Sequence, residues 1–119
     1  METQKIETEK GAYVECSPAG QVRGEEEALE LVAACMEWGT FNLLLHGSSL
    51  PEEFFHLRSG LAGKILLKFS NYGVKAALIL EPGQVREGKF TAWVLETNRG
   101  REFRVFFDRP AAETWLAAI

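Results

Sequence analysis

Thiols and imidazoles are scarce in this chain, with two cysteines and two histidines among 119 residues. Cys16 and Cys35 lack any CxxC-type spacing, so neither a redox motif nor a disulfide has support, and both read as small buried hydrophobes. His46 and His56 are the remaining soft ligands. No three or four such residues stand at zinc-like spacing, so neither a metal nor a cofactor is expected. Long apolar runs are missing too: a run such as Ala76 to Leu80 is far too short to span a bilayer. The opening Met-Glu-Thr-Gln-Lys-Ile-Glu has neither the basic nor the apolar region of a secretory leader. A soluble cytoplasmic chain is the expectation. There is no internal repeat, no low-complexity tract and no basic segment interleaved with aromatics. With a net charge of −4, the last of these absences disfavours nucleic-acid binding.

What is present is the composition of a soluble globular domain, 46% apolar and 25% charged, with residues 1–119 forming a single unit. The charge is unevenly spread along the chain. Residues 58 to 110 hold ten Lys or Arg against five Asp or Glu, and the rest hold three against twelve. A polarity of this kind can steer association with an oppositely charged partner.

Read in order, the chain alternates. Gln4 to Thr8 and Ala12 to Cys16 flank a Glu-Lys-Gly turn and predict a hairpin. Glu25-Glu26-Glu27 then opens a helix with an acidic first turn, whose apolar stripe reads Leu29, Val32, Ala33 and Met36, and Gly39 stops it. Phe41 to His46 and Val74 to Leu80 read as strands buried on both faces. A helix lies between them from Ser59, leaving through Asn71-Tyr-Gly73. Phe90, Trp93, Val94 and Thr97 return to helical spacing, with Asn98-Arg-Gly100 as the stop. Strand Glu102 to Phe107 and a helix from Pro110 carrying Trp115 and Leu116 complete the chain. Strands separated by helices favour right-handed crossovers. The fold class is therefore α/β, a mixed and mostly parallel sheet of about five strands with about four helices.

Five segments, Asn42-Leu-Leu-Leu-His46, Glu53-Phe-Phe55, Leu57-Arg-Ser-Gly-Leu-Ala-Gly63, Lys68-Phe-Ser-Asn-Tyr72 and Glu96-Thr-Asn-Arg-Gly100, resemble a bacterial family known only as domain of unknown function 4180. The resemblance implies a STAS-like fold and no established activity. Two positions depart from the family pattern: His56 stands where an acidic residue is usual, and Glu81-Pro82 where Gly-Asp is usual. In the wider group of STAS domains, which includes bacterial anti-sigma factor antagonists, a Ser or Thr in an Asp-Ser-Ser-Gly-Leu-Gly type segment opens the helix after a central strand. A partner kinase phosphorylates it. Ser59-Gly-Leu-Ala-Gly63 is similar to that segment, although Arg58 replaces the usual polar or acidic residue and the connection from the strand is longer.

The residues of this segment also have a reading of their own. A serine at a helix N-cap accepts a bond from an unpaired N–H, and capping alone accounts for Ser59. The same helix end offers donors and positive potential, Gly60 and Gly63 leave the backbone approachable beside Leu61, and Arg58 can pair with an anion. Joined to the strand-helix order, the resemblance to STAS domains implies a non-catalytic regulatory domain. It would bind a protein partner, such as a kinase or anti-sigma-like regulator, around Arg58, Ser59, Gly60, Leu61 and Gly63, with phosphoregulation at Ser59. An alternative is a sensor of small anions or metabolites, with Arg58 and Arg99 or Arg101 supplying charge. A hydrolase-like enzyme built from His46, Ser48, Ser49 and His56 is the third reading. It lacks a Gly-x-Ser-x-Gly elbow and any identifiable residue to orient either histidine.

Overall fold

Alternating apolar residues on either side of Glu9-Lys10 produce an antiparallel hairpin, β1 (Thr3–Thr8) and β2 (Gly11–Cys16). Each later strand then returns parallel to its predecessor through a helix. Helix α1 (Glu25–Trp38) leads to β3 (Asn42–His46), α2 (Leu61–Asn71) to β4 (Lys75–Ile79), and α3 (Lys89–Thr97) to β5 (Phe103–Phe106); α4 (Arg109–Ala117) follows. The computed structural model describes residues 1–84 and 88–118. The sheet order is β1-β2-β3-β4-β5, the order of the sequence.

Because every crossover steps one strand in the same direction, right-handed connections bring α1, α2 and α3 to one face of the sheet. The larger core lies there, where Val14, Leu43, Leu45, Ala76 and Leu78 meet Leu31, Ile65, Phe69 and Val94. Among the described residues, helix α4 alone covers the other face, on Tyr13, Leu44 and Ala77. Charged groups fix it at both ends. Asp108 caps its start, accepting from Ala111 N–H at 2.8 Å, and Lys75 Nζ donates to the carbonyls of Trp115 and Ala118 at 2.7 and 2.8 Å at its end.

The hairpin, the alternation of strands and helices and the doubly buried β3 and β4 agree with the sequence reading, but the stripe of α1 does not. The side chains turned into the core are Ala28, Leu31, Val32 and Cys35, while Leu29, Ala33 and Met36 are exposed. Both sets have i, i+3, i+4, i+7 spacing and differ by one residue. Small Ala28 and Cys35 let the helix settle close to the sheet, and that tertiary fit selects the set. Phe41 likewise falls outside β3 and is half-exposed.

The two edges of the sheet are treated differently. At the β5 edge, Asn98 beyond the end of α3 donates to Val105 O at 3.1 Å and accepts from Val105 N–H at 2.7 Å, and Thr97 Oγ1 donates to Phe103 O at 3.2 Å. These side chains occupy the groups a sixth strand would use. At the β1 edge no such bond is made among the described residues.

Candidate functional site

Ser59 stands on the path from the central strand to α2. After β3 the chain makes three short 3-10 turns, at Gly47–Ser49, Glu52–Phe55 and Leu57–Ser59, before the helix begins. Phe54 anchors this connection, wholly buried and in edge-on contact with Phe55 and Trp93. The N-cap of α2 is Gly60 rather than Ser59. Gly60 sits at φ 74°, a left-handed conformation that glycine adopts without strain, and so reverses the chain between the last 3-10 turn and the helix. Ser59 lies one residue earlier, yet its Oγ still accepts from Leu61 N–H at 3.2 Å while donating to Glu53 O at 2.6 Å. The serine therefore joins the helix start to the preceding turn, with its side chain exposed.

Around it lie the other residues of the predicted segment. Leu61 is half-buried against the main core, Gly63 is exposed with open space where a Cβ would stand, and Arg58 is exposed with no ion-pair partner among the described residues. A shallow hollow of about 570 Å³ opens in front of Ser59, lined also by Gln21, Arg23, Pro51, Glu53 and Leu61. Arg23 was not singled out from the sequence. Its guanidinium rests on the neutral amide of Gln21, at 3.4 and 3.2 Å from Oε1, and forms no ion pair among the described residues, while its backbone N–H donates to Glu27 Oε1 at 3.0 Å. Arg99 and Arg101 are not part of this surface. They precede β5 at the opposite end of the sheet, where Arg99 lies 3.9 Å from Glu96, and they cannot share an anion with Arg58.

The histidines and serines of the enzymatic reading do not converge. Ser48 Oγ donates to Pro18 O at 2.8 Å and buried Ser49 Oγ to Ser17 O at 2.9 Å, fastening the loop before α1. His56 is exposed, 3.4 Å from Glu52. His46 does have an orienting partner that the sequence did not reveal: its Nε2 lies 2.6 Å from Glu15 Oε2 on the neighbouring strand. Since a carboxylate only accepts, Nε2 carries the proton. Glu15 in turn takes a two-pronged contact from Arg109 at 2.6 and 3.1 Å, and Arg109 also donates to Tyr13 OH at 2.8 Å, whose proton goes to Glu113 at 2.7 Å. Burial works against the Glu15 charge, but the bonds from Arg109 and His46 outweigh it and hold the carboxyl below the usual carboxylate range. Burial and the bond to Glu113 push the Tyr13 hydroxyl up to about 12. The cluster ties β2, β3 and α4 together on the face opposite α2. Among the described residues, no hydrogen bond joins either serine to either histidine, and no group of three or more His, Cys, Asp or Glu could hold a metal ion. No described helix is long and apolar enough to cross a membrane.

Residues 8–116 match the model of a family described as a domain of unknown function (DUF4180). The chain belongs to this family. The matched range of the DUF4180 domain takes in Glu15, His46, Ser59 and Arg109, so the surface hollow and the buried cluster both lie inside it. No curated protein and no solved structure matches the chain.

Proposed function

We propose that this DUF4180 domain is a non-catalytic, STAS-like regulatory module of the cytoplasm, and that it docks a protein partner, a kinase or anti-sigma-like regulator, around the start of α2 under control of phosphorylation at Ser59. One observation carries the reading. Ser59 is an exposed hydroxyl on the connection leaving the central strand of the sheet, and its single proton is committed to Glu53 O. Phosphorylation replaces that proton. The bond to Glu53 is lost, and roughly two negative charges arrive beside a carbonyl oxygen. Arg23, which lines the hollow, and Arg58, the chain neighbour of Ser59, place no guanidinium in an ion pair among the described residues, so a phosphate has a reason to swing toward them and away from Glu53. The turn between Glu52 and Ser59 must then rearrange, which changes the surface a partner meets.

Exposed apolar residues next to α2 support a protein as the partner. Glu25 of α1 pairs with Lys68 of α2 at 3.5 Å, and Leu29 and Met36 follow on the same side of α1, left 38% and 54% accessible. Exposed apolar side chains bordered by charged ones are a mark of protein association where they form a contiguous patch.

The test is capture of the tagged protein from its own host as wild type, Ser59→Ala and Ser59→Glu, with mass spectrometry of the captured proteins and of the peptide spanning Ser59. A phosphate on Ser59, or a partner retained by one variant and lost by the other, is the expected result. Equal capture by both variants, with Ser59 unmodified, would leave the serine as a strut of the helix start and overturn the switch.

A further inference from the structure

We propose that two copies of the chain associate through their open sheet edges, two β1 strands pairing antiparallel about a two-fold axis so that two five-stranded sheets become one of ten strands. Glu2 O accepts from Ser17 N–H at 3.1 Å, which fixes the alternation along β1: its even-numbered residues turn their backbone groups to β2. The N–H and C=O groups of Thr3, Lys5 and Glu7 therefore face outward. At the other edge Thr97 and Asn98 fill the corresponding positions on Phe103 and Val105. One edge is closed by the protein's own side chains, and the other is left ready to pair.

The occupant follows from the sequence of the edge. Two-fold pairing of outward groups allows only registers in which odd-numbered residues face odd-numbered ones. Lys5 against Lys5, or Glu7 against Glu7, opposes like charges, and Thr3 against Lys5 brings no opposite charges together. Lys5 against Glu7 of the second copy does so twice. Lys5 and Glu7 already lie together on one face of β1, 3.3 Å apart, so the paired edges form a ladder of alternating charge. That register also sets Ile6 against Ile6 on the other face, where Ile6 packs half-buried against the core beneath α4. A lone lysine would blunt an edge strand. Followed two residues later by glutamate, it makes this edge complementary to itself.

Sedimentation equilibrium of the full chain over a range of concentrations tests the proposal, using wild type, Lys5→Glu, Glu7→Lys and the double exchange. The wild type is expected to dimerise, each single exchange to weaken association roughly tenfold or more, and the double exchange to restore it. Lys5→Pro serves as a second probe, because it deletes an outward N–H and leaves the β1–β2 bonds in place; it should also yield monomer with an unchanged circular dichroism spectrum. A wild-type monomer at the highest soluble concentration, including one that binds only a strand of a different protein, overturns the proposal. So does a dimer indifferent to the single exchanges, or one that the double exchange fails to rebuild.

Discussion

Glu15 carries more structural consequence than any other charged residue described, and nothing local announces it. It stands in a strand whose last four residues are all buried, and its partners His46 and Arg109 lie 31 and 94 positions away in sequence. The only sequence trace is a glutamate in an otherwise apolar run. Its ionisation is favoured in the folded state, so the folded pKa lies below the unfolded value of about 4.3. The stability it contributes is thus complete above that pH and is lost as the pH falls through the folded value. Glu15→Gln should lower stability at pH 7 by about 2–3 kcal/mol, less than the ~3–5 kcal/mol for breaking a fully buried pair because Arg109 reaches solvent. Urea titrations at pH 7 and at about pH 4 check both parts, the variant losing less on acidification than the wild type. Ser59 was legible in part. Its hydroxyl does bond the helix start as a cap would, but Gly60 takes the cap position, since only the backbone geometry of the turn decides which of two adjacent residues closes it.

Among the elements, those bounded by turn chemistry were readable. The hairpin turn, the glycine stop after α1 and the exit from α2 are set by local backbone preference, and each lies within a residue or two of its expected place. The facing of α1 was not readable, because Leu29-Val32-Ala33-Met36 and Ala28-Leu31-Val32-Cys35 are equally good stripes and only the sheet beneath distinguishes them. Two truncations measure that choice. Leu31→Ala should cost about 2–4 kcal/mol through the cavity it leaves, whereas Leu29→Ala should stay within ~0.5 kcal/mol. Equal losses in denaturant unfolding would mean that the helix is rotated from the orientation described.

For the whole molecule, the uneven division of helices is decisive: three cover one face of the sheet and one covers the other. Parallel strands require both faces covered. Deleting residues 109–119 should accordingly give a chain that binds an apolar dye and aggregates, with no cooperative thermal transition by calorimetry; a soluble, cooperatively folding product would refute the assigned role of α4. The sheet has a further property in its ordering. Because strands adjacent in space are adjacent in sequence, each new strand docks on the one made just before it and none has to be threaded between two others. Loop closures stay short, which favours rapid folding for a sheet of this size. Assembly can keep pace with synthesis on the ribosome until β5 is in place, and the interval before α4 emerges is when the nascent chain most needs protection from its neighbours.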